Sequence, residues 1–326
     1  MSLLTIGIPT YNRSIRLEKS FRDLLEQILD SRNKIELCVY VSNNGSTDNT
    51  NEIIEKYAKI FISLGIPFYV NVFSENKGFD VNVFSCYKNC TSEYIWFLSD
   101  DDNINDGAID IIIEDIKQYA PSVLYYNFDQ FPYNVANPNV SETVLYKNVD
   151  EDSMDSLSKI IEWPKLSSLV IVKGGIEDFG ENFKTGFMHI ALAIQSGFDY
   201  GNVFHSKMFI CRPDDDYMNH IEFPPYIMNG LVEMVEQIFY QNNRTELMKY
   251  VDIKAVDPLI VSLNVFGSYF RGKYALNQEL KKQMKKTVKE EFYNFKISRL
   301  YKKDFYLSIL KFAISYIYNV IFRAGK

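Results

Sequence analysis

Apolar positions in the first 127 residues switch repeatedly between two rhythms. Runs rich in β-branched and aromatic residues predict strands at 3–9, 35–41, 66–73, 94–98 and 122–128. Between them the spacing turns helical. Leu17, Phe21, Leu24, Leu25 and Ile28 share one face after Ser14, and Ile53, Ile54, Tyr57 and Phe61 share another. Residues 81–87 and 106–119 carry two further helices, the last one marked by Ile109, Ile111, Ile112, Ile113 and Ile116. Ser14, and Asp106 with Gly107, are the expected caps, and Asp48 is expected to cap the helix behind it. Strand and helix alternating through short links specify an α/β fold with a mostly parallel sheet.

From 129 to about 162 the pattern loosens into Asn, Pro and acidic residues, as expected of a stretch that wraps the surface. A strand at 169–173, a helix at 186–196 and a strand at 203–211 follow, leading into a polar loop at 212–216. Helical patterns dominate beyond Pro225. The expected organisation is an α/β domain over 1–215 and a helical C-terminal region over 216–326, without internal repeats.

Residues 94–102, Tyr-Ile-Trp-Phe-Leu-Ser-Asp-Asp-Asp, read as a buried strand ending in three carboxylates. They would lie at the sheet's C-terminal edge, where open α/β sheets bind ligands. Packed carboxylates repel unless a hard cation such as Mn²⁺ or Mg²⁺ neutralises them, and a divalent metal holding a diphosphate meets both demands. A merely solvated turn is the competing reading. Capping does not require the three acids, because Asp106 and Gly107 already serve the next helix.

A hydrophobic share of 47% and an aromatic share of 15% predict a packed core. Cys38, Cys86, Cys90 and Cys211 lack CxxC spacing, which points to reduced core thiols and a cytoplasmic setting. The short apolar start has no basic segment before it, unlike a secretory signal. The net charge of −7 conceals an asymmetry: residues 271–326 hold fourteen Lys and Arg against four Asp and Glu, a net of +10 that leaves the rest at −17. No nucleic-acid-binding motif accompanies this basic tail. Residues 305–322 are apolar but interrupted by Ser308, Lys311, Ser315 and Asn319, too broken for a span and suited to an interfacial helix. Residues 281–326 are therefore expected to touch an anionic membrane surface peripherally. Docking on the catalytic domain or on a second subunit, giving a homo-oligomer, is the alternative.

Four motifs occur in order: Ile6-Gly7-Ile8-Pro9-Thr10-Tyr11-Asn12-Arg13, Asn43-Asn44-Gly45-Ser46-Thr47-Asp48, Glu75-Asn76-Lys77-Gly78 and Trp96-Phe97-Leu98-Ser99-Asp100-Asp101-Asp102. Together they resemble family 2 of the glycosyltransferases, inverting enzymes of the GT-A fold, closely over 3–125 and loosely over 126–215. The resemblance implies a nucleotide-sugar donor bound by Pro9, Thr10, Tyr11, Arg13, Lys77 and the Asn43-Asn44 turn. Relatives usually carry an Asp at one of those two Asn positions, and an amide leaves the base open between uracil, thymine and cytosine, while an Asn-Asn-Gly turn chosen for left-handed backbone angles is the competing reading for one of the two. The triplet resembles the family's DxD element, which implies Asp100 near the ribose and Asp102 on Mn²⁺ or Mg²⁺, with Asp101 able to replace either. The family's base, an Asp opening a helix, corresponds here to His189. Asp178 and Glu181 are fallback bases, and a packed core histidine is the competing reading. Trp163, Lys165 and Arg212 are candidates for lining an acceptor pocket, with Trp163 beside Pro164 read alternatively as pinning a loop, and His205 and His220 are extra metal or phosphate contacts or structural residues.

By the same resemblance the chain is expected to move a sugar onto a growing bacterial surface glycan, such as lipopolysaccharide or capsule. Its acceptor would be a glycan or lipid-linked glycan at the inner face of the plasma membrane. A sugar-1-phosphate nucleotidyltransferase is the alternative, though residues 9–16 lack the glycines its phosphate loop needs. A non-catalytic nucleotide-binding scaffold is the third reading.

Overall fold

The computed structural model describes residues 2–128, 142–147, 160, 161, 165–176, 179, 183–213, 234, 235, 237, 238 and 240–242. Its strands are β1 Leu4–Thr10, β2 Leu37–Asn43, β3 Phe68–Val72, β4 Tyr94–Phe97, β5 Asp102–Ile104, β6 Val123–Phe128, β7 Val144–Tyr146, β8 Leu169–Val172 and β9 Val203–Pro213. Its helices are α1 Ser14–Asp30, α2 Thr50–Ser63, α3 Phe79–Lys88, α4 Ala108–Tyr119 and α5 Met188–Tyr200.

The sheet runs β3-β2-β1-β4-β8-β6-β9-β5, with β7 also paired to β9. β3, β2, β1 and β4 are mutually parallel, and β6 and β9 are parallel to each other. β8 enters between β4 and β6 antiparallel to both. The expected mostly parallel α/β sheet is present, with reversed strands at its centre and at its β5 and β7 margin.

Alternate side chains of the central strands feed two cores. Leu4, Ile6, Ile8, Val39, Val41 and Trp96 meet α1, α2 and α4 on one face, through Phe21, Phe61 and Ile112 among others. Tyr40, Ile95, Phe97 and Ile171 meet α3 and α5 on the other. Gly7 is where α3 comes closest: a Cβ there would lie 3.1 Å from that of Cys86 and 2.8 Å from the Ile95 side chain. Burying central strands on both faces accounts for their unbroken apolar runs. Met234, Val235 and Ile238 join the α5 core, and Asn242 exchanges amide hydrogen bonds with Gln195 of α5 at 2.7 and 3.0 Å. Residues on both sides of the expected boundary at 215 thus share one core.

Several boundaries differ from expectation. Residues 34–36 form a 3₁₀ turn with Ile35 85% exposed, and β2 begins only at Leu37. Ser14 does not cap α1; it begins the helix, and its N–H donates to Asp48 at 3.0 Å. Asp48 also receives the Thr50 N–H at 3.1 Å, so one carboxylate fastens the starts of α1 and α2. Asp106 does not cap α4 either, because Gln27 takes both its carboxylate and the Gly107 N–H. α5 extends to Tyr200 and stops before Gly201 at φ 73°. Asp102 lies in β5 rather than in the turn, and Val144–Tyr146 pairs as a strand within the stretch expected to be irregular. Residues 214–233 and 243–326, which include His220 and the basic tail, lie outside the described residues, as do Trp163, Asp178 and Glu181. No helix among the described residues is long and apolar enough to cross a membrane.

Candidate functional site

Parallel pairing of β1 with β2 and β4 brings their C-terminal ends to one rim, and with them three turns far apart in sequence. The β1 turn supplies Thr10, whose hydroxyl donates to Asp100 Oδ2 at 2.6 Å. It also supplies Arg13, whose Nη1 lies 3.1 Å from Asp100 Oδ1 and bonds Asp101 Oδ2 as well. Arg16 Nη1 reaches the same Asp101 oxygen at 3.5 Å. Pro9 is buried in β1, and Tyr11 stands at the rim, 38% exposed.

The three carboxylates sit in unlike surroundings. Burial pushes Asp100 up to about 6, with Arg13 opposing the rise and Asp101 adding to it. Asp101 feels burial too, but Arg13 and the Ser99 hydroxyl outweigh it and hold its carboxyl below the usual range. Asp102 rises furthest, to about 7, because burial and the Asp101 charge exceed what Lys165 and Ser167 return. Ser167, in the 3₁₀ turn before β8, is the hidden support of this arrangement. Its hydroxyl donates to Asp102 Oδ2 at 2.6 Å and receives the Ser99 N–H at 2.9 Å, while its carbonyl receives the Trp96 indole N–H at 2.9 Å.

The β1 and β2 turns clasp each other. Asn12, at φ 51°, accepts the Thr47 N–H at 2.7 Å and donates its own N–H to Ser46 at 2.9 Å. Asn43 accepts from the Ser46 hydroxyl at 2.5 Å and donates to Asn51 at 2.7 Å. Asn44 donates to Asn76 and the Gly78 carbonyl at 2.9 and 3.1 Å and accepts the Lys77 N–H at 2.8 Å. Both amides are buried and engaged in holding turns together. The Lys77 ammonium is exposed and pairs with Glu75 at 2.5 Å. Gly45, at φ 72°, lets its turn run against the Glu75 backbone, since a Cβ there would lie 2.5 Å from the Glu75 carbonyl carbon.

α3 begins at this rim, and Asp80 in its first turn reaches across to α5. It accepts the Gly186 N–H at 2.8 Å and the Met188 N–H at 3.0 Å, occupying donors that a helix start leaves open. Burial raises the Asp80 carboxyl despite those bonds. His189, which follows Met188, is 3% exposed and lies between rings, 5.9 Å from Phe79 and 6.2 Å from Phe187 by centroid. His205 sits in β9 against Tyr125 and Tyr146, as a packed residue. The Lys165 ammonium lies 4.9 Å over the Phe128 ring, and Arg212 donates to Asn105 at 2.9 Å.

Thr10, Arg13, Asp100, Asp101 and Asp102 are therefore gathered in one place, while Asn43, Asn44 and Lys77 form the neighbouring turns and His189 is buried between Phe79 and Phe187. Ser167, Ser99, Arg16 and Asp80 are the contributors that sequence reasoning missed. For Arg16 a signal existed, since three residues after Arg13 on a helix puts both on one side. Ser167 offered none, because its partners are distant in sequence.

Among the described residues, no three His, Cys, Asp or Glu side chains are grouped to hold a metal alone. The donors nonetheless suit a hard cation. Asp100 and Asp102 offer carboxylate oxygens, and Asp102, whose carboxyl is raised chiefly by burial, would be returned to its anion by a bound cation. An ion here would take its remaining ligands from a bound diphosphate or water.

The sequence profile described as Glycosyl transferase family 2 matches residues 5–169, just over half the chain. Glycosyltransferase GlyA of Streptococcus pneumoniae is 23% identical over 199 residues, which cover 57% of this chain and 27% of that protein. A Campylobacter jejuni enzyme named GalNAc(5)-diNAcBac-PP-undecaprenol beta-1,3-glucosyltransferase is 25% identical over 114 residues, covering 35% of this chain and 34% of its own length. The matched part thus spans about a third or less of both relatives. Among solved structures, S. aureus TarS 1–349 in complex with UDP-GlcNAc superposes with TM-score 0.57 at 16% identity, covering 90% of this chain and 92% of that one. The mannosyltransferase PcManGT from Pyrobaculum calidifontis, solved with GDP-Man and Mn²⁺, gives TM-score 0.51 at 14% identity over 97% of this chain and 86% of that one. These two likenesses establish a shared fold.

Proposed function

The chain belongs to glycosyl transferase family 2, and from that membership we propose that it is an inverting, metal-dependent transferase of a sugar from a nucleoside-diphosphate donor. The observation that carries the reading is the acidic turn at the rim, with Asp100 tied to Thr10 and Arg13 and Asp102 buried with an elevated pKa. Asp100 and Asp101 lie with Arg13 where the β1 and β4 ends meet, the place for ribose and diphosphate. Asp102 would hold Mn²⁺ or Mg²⁺, which when bound stabilises the leaving diphosphate. The Asn43 and Asn44 amides act through the turns they fix, leaving base recognition to the backbone around Thr10 and Tyr11. His189, in the first turn of α5 that Asp80 anchors, would take the acceptor hydroxyl's proton; Asp178 remains the fallback base.

A glycan or lipid-linked glycan of a bacterial surface polymer is the proposed acceptor, supported by the undecaprenol-linked substrate in the C. jejuni relative's name. The basic residues of 281–326 would meet the anionic inner leaflet.

Calorimetry with UDP, GDP, CDP and dTDP, with and without Mn²⁺, tests the reading. Metal-dependent binding of one nucleotide, abolished in Asp102→Ala, is expected. Equal binding without metal, or none, would remove it.

A further inference from the structure

Arg13 and Arg16 stand at the end of α1 that is least favourable to their charge. Arg13 is the residue before the helix, Arg16 lies in its first turn, and no acidic residue occupies that turn. A helix N-terminus carries partial positive charge, so two guanidinium groups there are opposed by it. The acidic turn is what holds them. Arg13 Nη1 bridges Asp100 and Asp101, and Arg16 Nη1 lies 3.5 Å from Asp101.

Two of the three carboxylates that would attract a divalent ion are therefore already matched to a protein cation. The Arg13 side chain is also 38% exposed at the rim, on a long flexible stem whose head has somewhere to go. A diphosphate arriving beside it offers what a guanidinium binds best, paired anionic oxygens.

We propose that Arg13 is an internal counter-ion coupling the two halves of the donor site. With no ligand it neutralises Asp100 and Asp101 and keeps a free divalent cation weakly bound. When the diphosphate enters, the guanidinium passes to phosphate oxygens and releases Asp100 to the ribose and the metal. Arg16 stays on Asp101 and keeps that corner neutral after Arg13 leaves. The inference rests on the donor-site reading above and adds to it a reciprocal coupling: diphosphate tightens metal, and metal tightens diphosphate by the same factor.

The test is Mn²⁺ binding followed by electron paramagnetic resonance, alone and with the nucleoside diphosphate that binds best, in wild type, Arg13→Gln and Arg13→Lys. In wild type the nucleotide should tighten Mn²⁺ by about tenfold or more, within the usual range of coupling. Arg13→Gln should bind Mn²⁺ alone about fivefold more tightly and lose most of that coupling. Arg13→Lys keeps the charge but not the fork, so Mn²⁺ alone should bind as in wild type while coupling falls by about threefold or more. Unchanged or weaker Mn²⁺ binding by Arg13→Gln, with coupling intact, overturns the counter-ion role and leaves the donor site standing. If Arg13→Gln does not melt cooperatively, Arg13→Lys decides, and unchanged coupling there overturns the role. Wild type taking up neither Mn²⁺ nor nucleotide would defeat the donor-site reading itself.

Discussion

Ser167 donates its hydroxyl to Asp102 across 65 residues of sequence, at 2.6 Å. The same buried hydroxyl accepts the Ser99 N–H, so one small side chain ahead of β8 fastens both ends of the acidic turn. Ser167→Ala frees the Asp102 carboxylate to rotate and leaves the Ser99 N–H without that acceptor. Groups that orient a metal ligand typically contribute 10–100-fold in affinity, so Mn²⁺-dependent nucleotide binding should weaken by about tenfold. Losing buried hydrogen bonds should also cost about 1–3 kcal/mol of stability. Calorimetry and denaturant melts read the two effects separately, and undiminished nucleotide affinity would show that Ser167 only packs.

Asp100 and Asp102 make the ligand-free protein lose stability as pH rises from acid to neutrality. Their carboxyls are raised to about 6 and about 7, whereas an unfolded chain ionises Asp near 3.9, at about its reference value. Between these limits the native state binds more protons than the unfolded one, so this contribution to stability is complete in acid and is lost as pH rises through 6 to 7. Other carboxylates, such as Asp48 and Asp110, are lowered and pull the opposite way. A difference measurement isolates the effect. Asp102→Asn should gain melting temperature relative to wild type between pH 5 and pH 8, and a constant difference across that range would contradict the assignment.

His189 and Asp80 separate chemistry from scaffolding. If His189 takes the acceptor's proton, His189→Ala should lower transfer by about 10²–10⁴-fold with nucleotide binding within about twofold of wild type. Full transfer by that variant would return the role to Asp178 or another group. Asp80→Ala removes the acceptor of the Gly186 and Met188 N–H groups and should cost about 1–3 kcal/mol in a denaturant melt.

Gly45→Ala tests the seam between the second and third turns. The new methyl would collide with the Glu75 backbone at 2.5 Å in a left-handed conformation. Strain of this kind costs about 1–3 kcal/mol, and the turns it disturbs hold Asn44 against Lys77 and Gly78. A lowered denaturation midpoint is expected, together with weaker nucleotide binding; an unchanged midpoint would mean that the turns move apart freely.

Periodicity along the chain was enough to specify the βα alternation, because each strand and helix records which of its own faces is buried. The acid-tipped strand was legible for the same reason, since a turn following an apolar strand at a parallel sheet's C-terminal edge has only one place to be, whereas Thr10 and Arg13 were marked only by the resemblance of their motif. Tertiary structure alone decided that β8 would run backwards between β4 and β6, because pairing direction depends on partners and not on the strand's own pattern. It also decided what the side chains at the rim do. Asn43 and Asn44 read in sequence as base contacts or as turn residues, and which neighbours their amides fasten is decided only once those turns are adjacent. Ser167, Asp80 and the Asp102 pKa belong to that second category, since hydrogen bonding and desolvation are set by neighbours that distant segments bring in, and no local pattern encodes them.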